Sequence, residues 1–85
     1  MTDHQERELL RRIVVEPGKM GGKPIIRGRR ITPGMVLKML ANGATREEVL
    51  AAYPALEPAD IDACLLYAAF AADAAEVDGQ ALMAE

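Results

Sequence analysis

The sequence predicts a mainly α-helical fold, with a small N-terminal β-hairpin followed by three helices of helix-turn-helix proportions. Short β-prone runs punctuated by glycine fill the first third of the chain, and apolar spacing changes from a period of two towards 3.6 at Thr32. Size adds a third observation. Eighty-five residues make one domain, and so short a chain buries only about 60% of its unfolded surface. Cys64 is the only cysteine and His4 the only histidine. Neither an intrachain disulfide nor a Cys/His metal cluster can therefore supply stability, which leaves a partner subunit as the expected source.

Residues 1–12, MTDHQERELLRR, form a charged N-terminal segment in which Asp3 to Arg12 have the makings of a short, frayed helix. A single domain over residues 13–76 follows. Ile13, Val14 and Val15 are three consecutive β-prone residues, stopped by Pro17-Gly18. The glycine-rich GKMGGK leads into a second run, PIIR, broken by Gly28, and RRIT reads as a further extended piece. An isolated hairpin of this kind is marginal in water and must dock on something.

Thr32 and Pro33 are a good N-cap and a good first helical residue, and Asn42-Gly43 closes that helix. Thr45 with Glu48 three residues on is a capping box for the second helix, which Pro54 ends. Pro58 opens a third helix reaching about Glu76, with Glu57 at its N-cap and Asp60 and Asp62 complementing the positive dipole end. Residues 77–85 make an acidic tail.

The third helix has almost no polar side between Ile61 and Ala72. A helix apolar all round is buried all round, and two short helices with a hairpin cannot surround it. The expected cover is a second copy of the chain in an isologous dimer, through Ile61, Leu65, Leu66, Tyr67 and Phe70.

Net charge is −3, but its distribution is more telling. All ten Lys and Arg lie in residues 1–46, which carry a net +6, whereas residues 47–85 carry nine acids and no Lys or Arg. Such asymmetry suggests a basic face for an anionic partner, or two halves that neutralise each other.

The glycines of GKMGGKP do not form a phosphate loop, because the spacing is too short and Pro24 stands where a magnesium-binding hydroxyl is needed. Catalysis is poorly supplied: the chain has no serine, His4 lies in the charged N-terminus, and Thr2, Thr32 and Thr45 are accounted for by the terminus and by caps. The expectation is no enzyme, no metal and no cofactor. The longest apolar run, Ala63 to Ala72, falls short of the roughly 18–20 residues that cross a bilayer, so a cytoplasmic protein without a membrane partner is expected.

Binding is better supplied. The third helix is a poor reader of bases, since Glu57, Asp60, Asp62 and Asp73 would meet phosphate and it carries no Arg, Lys, Asn or Gln. Contacts to duplex DNA are expected instead from Lys19, Lys23, Arg27, Arg29, Arg30, Lys38 and Arg46. Five phosphate contacts per chain would give a salt slope of about −4 to −5. Each cation has a local alternative. Arg27 is placed to pair with Asp60 or Glu57 inside the fold, and Lys19 and Lys23 to solubilise a glycine turn.

The order VVEPGKMGGKPIIRGRRIT, then MVLKMLANGATREEVLAAYPALEPADIDACLLYA, closely resembles the domain-of-unknown-function 433 family of bacteria and archaea. The resemblance covers about Ile13 to Ala72. It implies a winged or homeodomain-like helix-turn-helix fold. It also implies similarity to antitoxins of type II toxin–antitoxin systems, which bind operator DNA as homodimers and neutralise a PIN-like ribonuclease toxin. The alternative is a stand-alone homodimeric protein-interaction domain without nucleic-acid binding. This chain departs from the family pattern at Arg29 and at Glu57, where threonine is usual.

Overall fold

The computed structural model describes residues 1–74. Thr2 opens the first helix, α1 (Asp3–Leu10), with a reciprocal capping box: its hydroxyl accepts from the Gln5 N–H, and its own N–H donates to Gln5 Oε1 at 2.8 Å. This cap fixes a helix that the charge density of the segment alone does not favour. α1 packs against the last helix of the chain rather than standing apart from the domain.

Strand β1 (Ile13–Val15) pairs antiparallel with β2 (Pro24–Ile26), in the register Ile13↔Ile26, Val14↔Ile25 and Val15↔Pro24. Ile25 and Ile26 are both fully buried although successive strand residues point to opposite faces, and Ile26 joins the core cluster with residues of the helices. RRIT does not continue as a strand. Arg27 and Gly28 both adopt left-handed backbone conformations, with φ of 49° and 74°, and turn the chain back on itself. The Arg29 N–H then donates to the Ile26 carbonyl, and the Ile26 N–H to the Ile31 carbonyl, both at 2.9 Å.

α2 (Pro33–Ala41) is capped by the Thr32 hydroxyl and closed by Gly43, whose φ of 92° lets its N–H reach the Leu40 carbonyl at 3.0 Å. α3 (Arg46–Ala52) has the capping box of Thr45 and Glu48. α4 (Pro58–Ala74) touches α1, α2, α3 and β1, and so organises the whole domain. Its expected end at Glu76 and the tail over residues 77–85 lie outside the described residues.

The core is one cluster of Ile26, Val36, Val49, Leu56, Ile61 and Cys64, ringed by half-buried residues such as Ile13, Ile31, Leu37 and Tyr53. Fully burying side chains of this size is worth roughly 1.5–3 kcal/mol each. Only the first two turns of α4 share in the core. Asp60, Ile61, Ala63 and Cys64 are buried, whereas every residue from Ala69 to Ala74 is exposed. The expectation for Ile61 is therefore corrected: it is 0% exposed within its own chain and is not available to a second copy. Leu65 and Phe70 are 44% and 47% exposed, and Leu66 and Tyr67 are half-buried.

Candidate functional site

Hairpin register brings two arginines together. With Ile13 opposite Ile26, the next pair outward is Arg12 and Arg27, and the Arg27 N–H donates to the Arg12 carbonyl at 2.7 Å. Like charges side by side on a sheet repel unless an anion lies between them. Asp60, in the first turn of α4, is that anion, and it is 0% exposed.

Its Oδ1 accepts from Arg12 Nη1 and from Arg27 Nε, both at 3.0 Å. Its Oδ2 accepts from Arg27 Nη2 at 2.9 Å and from the Glu57 backbone N–H at 2.7 Å. Arg27 Nη2 also donates to the Ala55 carbonyl at 2.8 Å, and Arg12 Nη1 to Glu57 Oε1 at 2.7 Å. Only a guanidinium fork can bind a carboxylate through two nitrogens and a carbonyl at once. Arg12 and Arg27 thus fasten the hairpin to the start of α4.

Burial alone would push the Asp60 carboxyl up. The hydrogen bonds from Arg27, from the Glu57 N–H and from Arg12 outweigh it and hold the group below its ordinary 3.8. In return, the bonds to Glu57 and Asp60 raise Arg12, and the bond to Asp60 raises Arg27. A lone buried carboxylate would instead be neutral and costly.

Three of the seven predicted DNA-contacting cations are engaged inside the fold. Arg27 is held by Asp60 and is corrected to a structural role. Lys19 lies 3.0 Å from Glu16 Oε2 and donates to the Gly28 carbonyl at 3.0 Å, pinning the β1–β2 connection to the turn after β2. Arg46 Nη2 meets Asp62 Oδ1 at 2.8 Å in an exposed pair, of a kind worth little to stability. The other four, Lys23, Arg29, Arg30 and Lys38, are exposed and have no ion pair among the described residues.

Lys23 and Lys38 both line an open groove of about 660 Å³. Its remaining wall is largely apolar, with Met20, Pro24, Pro33, Met35 and Tyr67, so the groove joins the β1–β2 connection, α2 and α4. Cys64 offers no nucleophile: burial pushes its thiol up to about 11. Among the described residues no cluster of His, Cys, Asp or Glu is arranged to hold a metal ion, and no helix is long and apolar enough to cross a membrane.

Sequence reasoning missed Arg12 and treated Asp60 mainly as a dipole complement. A signal for the first was present. Arg12 directly precedes β1 and Arg27 directly follows β2, so antiparallel pairing of IVV with PII must set them opposite each other.

A model of the family described as "Protein of unknown function (DUF433)" matches residues 13–68 of the chain. The crystal structure of a DUF433 member protein from Anabaena variabilis ATCC 29413 is similar, with a TM-score of 0.62 and 28% sequence identity. That match covers 79% of this chain and 73% of the other. No protein of curated function matches the sequence.

Proposed function

The chain belongs to the DUF433 family, and we propose that it works by binding rather than catalysis, as a homodimeric DNA-binding antitoxin. In this reading a winged helix-turn-helix domain presents Lys23, Arg29, Arg30 and Lys38 to operator DNA. The dimer forms through the exposed part of α4, and the acidic second half engages a PIN-like ribonuclease toxin in the cytoplasm. One observation carries the reading: Lys23, Arg29, Arg30 and Lys38 stay exposed without an ion pair among the described residues of a chain that is acidic as a whole.

Phosphate contacts supply most of the sequence-independent affinity for DNA. α4 remains a poor reader of bases, since its start is committed to Arg12 and Arg27 through Asp60. Leu65 and Phe70, both substantially exposed, support self-association through the same helix. A net −9 over residues 47–85 suits a partner with a basic RNA path.

A second reading is a stand-alone protein-interaction dimer. Its support is that Arg12, Arg27 and Arg46 all pair with carboxylates of the acidic half, so much of the charge asymmetry is neutralised within the fold.

Fluorescence anisotropy with duplex DNA at two salt concentrations separates the two. Four phosphate contacts per chain give a slope of log affinity against log salt of about −3.6. Absence of binding at low salt removes the DNA reading. Light scattering is expected to return twice the 9.2 kDa chain mass. Co-expression with the neighbouring open reading frame tests the antitoxin role, which fails if the two products neither co-purify nor protect the cell.

A further inference from the structure

Two surfaces that the fold leaves unused lie next to each other on α4. Tyr67 belongs to the apolar wall of the groove with Pro24, Pro33 and Met35, and the exposed Lys23 and Lys38 line the same groove. One turn further along, Phe70 is 47% exposed, and Asp73 beyond it is exposed as well. Lys23, Lys38 and Asp73 have no ion pair among the described residues. Leu66, Phe70 and Asp73 follow the i, i+4, i+7 spacing, so they form one stripe of α4 that ends in a carboxylate. α4 holds no Lys or Arg to satisfy that carboxylate from the same helix.

Groove and stripe are complementary. One offers an apolar wall with two ammonium groups, the other apolar side chains beside a carboxylate. They do not meet within one chain, because a rigid helix holds Asp73 about 9 Å along its axis and about 120° around it from Tyr67. A two-fold axis beside Phe70 resolves this. Phe70 then packs on its own counterpart, and Tyr67 and Asp73 lie three residues to either side of it. Two α4 helices that cross there bring the Asp73 of each copy to the groove of the other, which is the reciprocity an isologous interface requires.

We infer that a second copy of the chain fills the groove: the end of α4 from Phe70 to Asp73 seats on the groove of its partner, with the Asp73 carboxylate between Lys23 and Lys38. The inference rests on the dimer reading above and adds to it the receiving surface and the charge pairing. One carboxylate against two ammonium groups leaves each groove positive, so the pairing does not cancel the attraction for phosphate.

The test is a charge exchange in the 85-residue chain, read by light scattering. Asp73→Lys sets only cations at the interface, and Lys23→Glu with Lys38→Glu sets only carboxylates there. All three sites are exposed and outside the core cluster, so far-UV circular dichroism is expected to show both variants folded. Like charges brought together cost several kcal/mol, so each variant alone is expected to associate at least about tenfold more weakly than the unaltered chain. An equimolar mixture of the two is expected to return to twice the 9.2 kDa chain mass, because both halves of a mixed dimer again set cations against carboxylates. Phe70→Ala is expected to weaken association by about tenfold or more through loss of the central apolar contact.

A monomeric unaltered chain would remove the dimer reading and this inference with it. A dimeric unaltered chain whose charge variants stay dimeric on their own would leave the dimer standing and overturn this way of building it. Failure of the mixture to reassociate would overturn the pairing of Asp73 with the two lysines. Undiminished association of Phe70→Ala would overturn the crossing at Phe70. DNA takes no part in these readouts, so they stand apart from the DNA reading.

Discussion

Arg27 and Arg29 are two residues apart and carry the same guanidinium, yet they belong to different parts of the molecule. Arg27 turns inward to a fully buried carboxylate and a backbone carbonyl. Arg29 is exposed, without an ion pair among the described residues. Between them Gly28 reverses the chain with a φ of 74°. The same division runs through the whole basic half: Arg12, Arg27 and Lys19 fasten elements together, while Lys23, Arg29, Arg30 and Lys38 remain available. Charge count therefore says little about what a basic segment does. Whether a carboxylate stands behind each cation decides it.

The sharpest way to break this comparison is to remove that carboxylate. Asp60→Asn leaves the two guanidiniums with only the exposed Glu57 carboxylate beside them. Breaking a buried ion pair from one side costs about 3–5 kcal/mol, a large part of the stability of a domain this small. A urea titration is expected to show that loss, or a chain unfolded in its absence. A change below about 1 kcal/mol would mean that the tie does not hold the hairpin to α4.

Protonation makes the same break reversibly. The folded-state value of Asp60 is lowered, so its contribution is complete above the unfolded value of 3.8 and is lost as pH falls through the lower folded value. Thermal melts of the native chain are expected to lose stability on acidification through that window. The Asp60→Asn protein should show a shallower dependence over the same range. Identical acid profiles would place the acid-labile charge elsewhere.

Much of the fold is legible in the sequence wherever its cause is local. Thr32 and Thr45 open helices through bonds spanning three residues, Pro58 suits a first helical position by its fixed φ, and each helix begins where those residues predict. The first helix was also written locally, in Thr2 and Gln5, although its charges argue for fraying. The tie to Asp60 is less legible because its partners are 33 and 48 residues away. Arg27 was open to pairing with Asp60 or Glu57, but nothing local chose between that and an outward role. The turn ahead of RRIT is hard to read, because a left-handed arginine such as Arg27 is uncommon and only Gly28 after it hints at the reversal. Ile61 was assigned to a partner because an all-apolar helix does not say which of its faces meets its own core.

A smaller effect sharpens the role of the turn itself. Gly28→Ala forces a side chain into a left-handed conformation and brings its Cβ to 3.4 Å from Glu16 Oε1. Strain of this kind costs about 1–2 kcal/mol. Gly43→Ala is the control, since its φ of 92° is equally unfavourable but its Cβ meets nothing within 4 Å. Urea midpoints should place Gly28→Ala at or below Gly43→Ala. The reverse order would show that the carboxylate yields freely and that the turn after β2 is not closely held.

The smallest expected effect on stability is the most informative about function. Arg29→Thr removes an exposed cation with no ion pair among the described residues, so the folding free energy should move by no more than about 0.5 kcal/mol. If Arg29 touches phosphate in the proposed DNA complex, the salt slope should fall in magnitude by about 0.9 per chain. Arg27→Thr is expected to behave oppositely, with a large loss of stability from the Asp60 tie and, in whatever fraction stays folded, no loss of slope. An unchanged slope for Arg29→Thr would leave that guanidinium without a phosphate. Destabilisation approaching that of Arg27→Thr would erase the distinction between the two arginines, because a cation whose removal unfolds the domain is being used by the fold and is not free for a partner.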